Sequence, residues 1–290
     1  MARDQGPVVQ SALLRNELIR LRKEQNLTQE QVARSLDWSP SKLIRIEGGK
    51  SSITKTDLQA LLLLYGVTSE SRQARLQEWA RGAREPGWWS IYRSEISDTY
   101  YQYIGYEAGA TFMRRFQGAV VPGPLQTEEY AEVLTADFVG PVKVAPVVKI
   151  RMQRQRELAK REEQPWQFYV LDEAVIRRHV GIKRDPAIMP NQLRHIIDTA
   201  EHDERVMVRV IPFSAGAHRG LNGPFTLLEF EGDLADVLYL EGGRSASVLI
   251  TGDDPRISEY RDWFEVLMNE ALPKERSLQL IGDVAEELMS

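Results

Sequence analysis

The chain has 290 residues, of which 42% are hydrophobic and 27% are charged. This composition is typical of folded globular proteins and excludes a largely disordered chain. Cysteine is absent, which excludes a disulfide framework, a thiolate zinc site and a cysteine nucleophile. The sequence contains no apolar run long enough to span a bilayer and no secretory leader pattern, so we expect a cytoplasmic protein without a membrane segment.

The charge is distributed unevenly along the chain. Residues 1–66 carry 10 Lys and Arg against 7 Asp and Glu, a balance of +3, whereas the remainder has a balance of −8 within a net charge of −5. Nucleic acids attract locally basic surfaces, and the acidic total does not exclude them because the field that matters is local. We therefore expect any nucleic-acid contact to be confined to the N-terminal end.

The N-terminal part of the chain favours a series of short helices. Leucines recur at helical spacing over 11–25. Thr28 and Gln31 form the capping-box pattern that starts a second helix. Ser39 is expected to cap a third helix with Pro40 in its first turn, and a glycine pair ends this helix.

The stretch that follows the fifth expected helix, at 69–83, contains Pro86-Gly87, which breaks any helix. We therefore predict a helical domain over 1–83 and a second domain over 84–290. In the second domain, helices are expected at about 98–109, 126–135, 146–162, 187–202, 255–271 and 275–288. Strands are expected at 166–172, 206–212, 225–231, 235–241 and 246–251. Several strands follow one another directly, which favours an α+β fold with a mainly antiparallel sheet.

The second and third expected helices fit a helix-turn-helix, in which one helix crosses the DNA backbone and the next enters the major groove. Leu36, Leu43 and Ile46 would pack the two helices together. The side chains that then face outward are Pro40, Ser41, Lys42 and Arg45. A small helical bundle with a basic surface is the alternative interpretation.

Residues 12–66 resemble the Cro/repressor-type helix-turn-helix family, also called the xenobiotic-response-element family. The family pattern of Thr-Gln at the start of the second helix and Glu-x-Gly at the end of the third matches Thr28-Gln29 and Glu47-Gly48-Gly49. By position, the resemblance implies that Gln29, Lys42 and Lys50 contact phosphates and that Arg45 reads guanine. It also implies an ion pair between Arg22 and Glu47. The DNA-binding residues that we predict are Gln29, Ser39, Pro40, Ser41, Lys42, Arg45 and Lys50.

Beyond residue 100, a second group of motifs follows along the chain in a fixed order. They include Tyr106-Glu107-Ala108, Val121-Pro-Gly-Pro-Leu-Gln-Thr127, Arg151-Met-Gln-Arg154-Gln155, Leu171-Asp-Glu-Ala174 and Tyr239-Leu-Glu241. Together these segments resemble the C-terminal domain of actinomycete WhiJ-type, antitoxin-like transcriptional regulators. The resemblance implies a small partner protein encoded nearby and brings no catalytic residues with it.

Patterns for catalysis and for metal binding are weak. The Gly48-Gly-Lys-Ser51 stretch lacks the first glycine of a phosphate loop, because Ile44 occupies that position. His195 and His202 could share a helix face but have no third ligand in pattern. His218 lies in a glycine-rich segment that favours a plain connection between strands over a ligand-closing loop. We expect no enzymatic activity, no cofactor and no metal.

Four aromatic residues lie near the domain boundary and could anchor a partner, since Trp and Tyr are typical anchor residues. They are Trp88, Trp89, Tyr92 and Tyr103. Packing within the fold is an equal alternative. The sequence therefore predicts a homodimeric, sequence-specific transcription regulator that binds double-stranded DNA and a small protein partner. Two alternatives stay open: a one-component regulator that senses a small molecule, and a DNA-tethered enzyme.

Overall fold

The computed structural model describes residues 6–138, 140–232, 234–242 and 247–289. The described residues form two compact units. The first unit contains the chain up to Ile91 and the described residues of Glu231–Leu234, and the second contains the rest. The domain boundary after residue 83 stays a prediction. None of the helices in the described ranges has the length and apolar character needed to cross a lipid bilayer.

The first unit is helical, as expected. Its helices are α1 (Gly6–Glu24), α2 (Gln29–Ser35), α3 (Pro40–Glu47), α4 (Lys55–Leu64) and α5 (Glu70–Gly82). The first helix begins at Gly6 rather than at Ser11. Leucines at helical spacing, among them Leu18, Leu43 and Leu58, are almost completely buried and supply the apolar interior.

The local signals around α2 and α3 act largely as the sequence predicts. The Thr28 hydroxyl accepts a hydrogen bond from the Gln31 amide, and the Gln31 side chain accepts one from the Thr28 amide, which completes the capping box. Ser39 holds the N-cap position of α3, but its hydroxyl makes no cap hydrogen bond, which corrects the expected capping role. Asp37 adopts a φ of 52° in the turn between the two helices.

The second unit combines helices with a six-stranded sheet. Its helices are α6 (Asp98–Glu107), α7 (Glu128–Phe138), α8 (Pro141–Ala159), α9 (Glu173–Arg177), α10 (Ile188–His202), α11 (Pro255–Glu270) and α12 (Lys274–Glu287). Its strands are β1 (Phe112–Gln117), β2 (Trp166–Asp172), β3 (Val206–Ile211), β4 (Phe225–Glu229), β5 (Val237–Leu240) and β6 (Val248–Ile250). Residue 246, which was expected to begin the last strand, lies outside the described residues.

The strand order in the sheet is β3-β2-β1-β4-β5-β6. The pairs β1–β2 and β2–β3 are parallel, and the three pairs from β1–β4 to β5–β6 are antiparallel. The α+β class with a mainly antiparallel sheet is therefore confirmed. The two parallel pairs are joined through helices, as parallel connections require.

Apolar side chains cover both faces of the sheet. On one face, Val208 and Val210 of β3 pack in a cluster with residues of α10 and α12, including Leu193 and Ile281. On the other face, Phe264 of α11 packs in a cluster with residues of several strands. Burial on both sides explains why these strands are rich in continuous apolar residues.

Sequence reasoning missed β1, although this strand lies between β2 and β4 near the middle of the sheet. The strand reads Phe-Met-Arg-Arg-Phe-Gln, and two adjacent arginines are uncommon in an internal strand. Arg115 is buried and forms an ion pair with Glu107 at the end of α6. The ion pair with Glu107 therefore offsets the cost of placing the charged Arg115 in an internal strand.

Candidate nucleic-acid interface

Helix α3, the second helix of the predicted helix-turn-helix, has one buried side and one exposed side. Leu43 and Ile46 are buried, as predicted for the side that packs inward. Pro40 and Ser41, at the N-terminal end of the helix, are exposed together with Arg45 one turn later. In helix-turn-helix proteins, the N-terminal residues of the second helix contact base edges. The exposed side of α3 therefore carries side chains that are suited to reading a groove.

Arg45 and Lys50 are two of the cations predicted to contact DNA. Both are exposed, and the side chain of neither has a hydrogen-bond or ion-pair partner among the described residues. Lys50 follows Gly49, whose φ of 70° turns the chain directly after α3. An exposed arginine can form two parallel hydrogen bonds with guanine, and a lysine beside the helix can neutralise a phosphate.

Lys42 differs from the other two cations because it already has partners. Its ammonium group lies 2.6 Å from the Asp57 carboxylate on α4 and 4.0 Å from the centre of the Trp38 ring. These contacts hold the lysine side chain against the protein. A phosphate contact by Lys42 would have to compete with Asp57.

Gln29 and Glu47 join the start of α2 to the end of α3. The Gln29 side-chain amide donates to Glu47 Oε2 at 2.7 Å. The Arg22 guanidinium donates to both oxygens of the same carboxylate, at 2.7 and 2.8 Å, which confirms the expected ion pair. Hydrogen bonding to Glu47 is the main cause that raises the pKa of Arg22 above its ordinary value. A phosphate contact by Gln29 is thus confined to the remaining hydrogen of its amide.

Sequence reasoning missed Ile44 as a candidate contact. This residue is 51% exposed and lies on α3 next to Arg45. An exposed isoleucine on a recognition helix can contact a thymine methyl group. The signal was available, because a residue one position after the buried Leu43 points about 100° away from it around a helix.

The predicted aromatic surface needs a correction. Trp89, Tyr92 and Tyr103 are buried, and Trp88 is half-buried. Tyr92 donates a hydrogen bond to Gln153 at 2.7 Å, and the ring of Tyr103 stacks on that of Tyr239 at 4.1 Å. Tyr92 and Tyr103 therefore make these contacts inside the second unit. None of the three buried rings is available as an exposed anchor.

Two family models match separate parts of the chain. Residues 13–76 match the family described as "Helix-turn-helix domain", and residues 100–283 match the family described as "Domain of unknown function (DUF5753)". No curated protein and no solved structure matches the chain. A helix-turn-helix domain is typical of DNA-binding regulators. The second match covers more than half of the chain, which therefore belongs to the DUF5753 family and carries a helix-turn-helix domain in front of the family domain.

Proposed function

We propose that this chain is a cytoplasmic, sequence-specific transcription regulator that reads double-stranded DNA through α3. The exposed, unpartnered guanidinium of Arg45 on the outer side of that helix carries the proposal. Arg45 reads a guanine, while Pro40 and Ser41 contact neighbouring base edges. Ser39 supports a phosphate contact at the start of α3, because its hydroxyl is not used for capping and the helix N-terminus attracts anions.

The regulator binds as a homodimer to an inverted repeat. A single short recognition helix contacts few base pairs, so a second copy is needed for selectivity. Two-fold symmetry would place the two recognition helices about one DNA turn, ~34 Å, apart. Sedimentation of the full chain, with and without a two-half-site duplex, tests this arrangement. A monomer that binds one half-site with full affinity would contradict it.

The second unit also binds a small protein partner, and the resemblance to WhiJ-type, antitoxin-like regulators supports this part. The buried aromatic residues do not supply the surface. A groove of about 690 Å³ beside the end of α7 is a better candidate, because Phe138 is 76% and Ile182 is 56% exposed there. Arg178 and Lys183 also line the groove and favour a partner with an acidic contact face.

The partner proposal is tested by co-purification from the native host, identification of the bound protein and calorimetry with that protein. Phe138→Ser and Ile182→Ser should each weaken the complex. Leu63→Ser, which changes an exposed leucine of the first unit, is the matched control. Equal affinities in all three variants would eliminate this groove as the surface.

The DNA-binding proposal is tested by selecting sequences from a random duplex library and measuring affinity by fluorescence anisotropy. Arg45→Ala should cost about 1–3 kcal/mol on the selected site and relax the preference at one base pair. Arg81→Ala removes an exposed arginine from α5 and serves as the control. If the two variants lose affinity equally, Arg45 does not read the sequence.

A further inference from the structure

The second unit contains a cavity of about 370 Å³, which lies within the size range of small-molecule sites. It is bounded by α6, α8, the turn that follows β1 and the end of β5. Segments that carry the family resemblance therefore meet here, although they are far apart along the chain. The polar side chains that matter for the argument are Tyr100, Tyr103, Gln126, Arg151, Arg154 and Glu241.

Arg151 is a half-buried cation without a carboxylate in ion-pair contact among the described residues. Its Nη1 group donates to Gln126 Oε1 at 2.9 Å and to Thr135 Oγ1 at 3.2 Å, and both acceptors are neutral. Its Nε and Nη2 groups have no hydrogen-bond acceptor in the described part of the chain. Burial lowers the pKa of Arg151, and the negative charge of Glu241 offsets this effect only in part.

Arg154 lies one helical turn from Arg151 and lines the same cavity. Unlike Arg151, it has a carboxylate partner. Its guanidinium pairs with the buried Glu107 and donates to Tyr100 Oη at 3.1 Å and Tyr103 Oη at 3.0 Å. Arg115, which does not line the cavity, shares the same Glu107 carboxylate. One carboxylate therefore balances two guanidinium groups, which leaves positive charge in this region before Arg151 is counted.

Glu241 is the one carboxylate among the described residues that line the cavity. It accepts a hydrogen bond from Gln117 at 3.0 Å. With Glu107, it gives two acidic groups against the three arginines, so one positive charge stays unbalanced. A bound monoanion would restore neutrality.

Part of the cavity wall is apolar, although Ser97, Gln117 and Ser247 also line it. Val120, Leu134, Val147 and Ile150 contribute aliphatic surface, and the stacked rings of Tyr103 and Tyr239 contribute aromatic surface. This combination of a cationic end and an apolar wall is typical of sites that orient a small amphiphilic ligand. An inorganic anion alone would leave the apolar wall unused.

We propose that this cavity is a binding site for a small organic acid, whose carboxylate pairs with Arg151 and whose apolar body packs against the aliphatic and tyrosine side chains. A planar carboxylate matches the two unused donor groups of the guanidinium, which can bind it through parallel hydrogen bonds. The site goes beyond the DNA-binding function, because it is formed by residues of the second unit alone. Its test requires no DNA.

The test is calorimetry on the full chain with acids and their uncharged counterparts. The pairs are phenylacetate with 2-phenylethanol and hexanoate with 1-hexanol, and inorganic phosphate is a separate probe. The acids should bind with one site per chain and at least about tenfold more tightly than the alcohols, the difference expected for a charge-assisted contact. Phosphate should bind more weakly than either acid. Equal binding of acids and alcohols, tighter binding of phosphate, or no binding at millimolar concentration would overturn the proposal.

Variants on α8 separate a binding role for Arg151 from a structural one. Arg151→Gln should weaken acid binding at least about tenfold while the thermal midpoint of unfolding stays the same or rises. Arg156→Gln changes an exposed arginine of the same helix and should leave binding unchanged. Should Arg151→Gln fail to fold, Glu241→Gln decides the question, because removal of the opposing charge should tighten acid binding. Unchanged affinity in the folded Arg151 variant, or weaker binding in the Glu241 variant, would overturn the proposal.

Discussion

Arg22 on α1 and Glu47 at the end of the recognition helix are joined by two parallel hydrogen bonds, although 25 positions separate them in sequence. Their side chains are only 13% and 4% exposed. Two parallel bonds fix orientation as well as distance, because the guanidinium and the carboxylate must lie nearly in one plane. The ion pair therefore fixes the position and orientation of the end of α3 relative to α1.

Glu47→Gln should destabilise the protein by about 3–5 kcal/mol, because it leaves the guanidinium of Arg22 buried without its counter-ion. The double variant Arg22→Met with Glu47→Leu should lose less stability, since both charges are removed together. Urea unfolding followed by circular dichroism measures both. Glu24→Gln disrupts the exposed pair with Arg20 and should change stability by no more than about 1 kcal/mol. A similar loss in the Glu47 and Glu24 variants would contradict the prediction.

Asp57→Asn should strengthen DNA binding, because it removes the carboxylate that holds the Lys42 ammonium group at 2.6 Å. The released lysine can neutralise one phosphate, so the salt dependence of binding should steepen by about one unit of slope. Anisotropy titrations at several salt concentrations measure this effect. In a Lys42→Gln background the same aspartate substitution should leave the slope unchanged, and an equal change in both backgrounds would refute the mechanism.

Glu17 should make the stability of the first unit depend on pH. Burial tends to raise the pKa of this carboxyl, but hydrogen bonds from Arg20 and Arg72 outweigh burial, so that the pKa lies below the ordinary 4.5. A carboxyl with a lowered pKa stabilises the fold above its unfolded-state pKa, and this contribution is lost as the pH falls through the folded-state value.

Glu17→Gln should therefore be less stable than the wild type by about 1 kcal/mol at neutral pH. The two proteins should converge in stability as the pH falls below the ordinary carboxyl pKa of 4.5 and through the lowered pKa of folded Glu17, where the glutamate of the wild type becomes protonated. Unfolding in urea across this pH range gives the difference directly. Glu78→Gln alters an exposed carboxylate of α5 and is the control variant. A constant Glu17 difference at all pH values would exclude the ion pair as its cause.

The helix-turn-helix was predictable because its signals are local. The capping box at Thr28, the proline that starts α3 and the glycines that end it all lie within one or two turns of the element that they define. Strand β1 was not predictable in the same way. Arg115 is compatible with an internal strand only because of Glu107, and Arg154 shares that carboxylate from a position 47 residues away from it.

The residues of the candidate sites also differ in whether their surroundings could be predicted from the sequence. Arg45 could be selected from sequence because exposure on a short amphipathic helix follows from periodicity. The burial of Tyr103 could not, because its ring packs on Tyr239, far away in the chain. That no carboxylate among the described residues forms an ion pair with Arg151 is likewise a property of the folded surroundings. Composition alone cannot distinguish an aromatic anchor for a partner from an aromatic ring in the core.

Tyr103 provides the last prediction, because its role as a core residue differs measurably from a role as a partner anchor. Its ring stacks on Tyr239, and its hydroxyl accepts a hydrogen bond from Arg154 at 3.0 Å and lies 3.3 Å from Glu107. Tyr103→Ala should therefore destabilise the protein by about 3–5 kcal/mol through the cavity that it leaves. It should also leave polar groups of Arg154 and Glu107 with one partner fewer.

Tyr101→Ala is the matched control, since Tyr101 lies on the same helix and is only partly buried, with Arg93 against its ring at 4.4 Å. Its loss should cost no more than about 1 kcal/mol. Thermal and urea unfolding of both variants decide between the two roles, because a partner anchor on the surface contributes little to the stability of the isolated chain. If Tyr103→Ala unfolds at the same urea concentration as Tyr101→Ala, Tyr103 does not support the core and the aromatic surface predicted from the sequence becomes the better explanation.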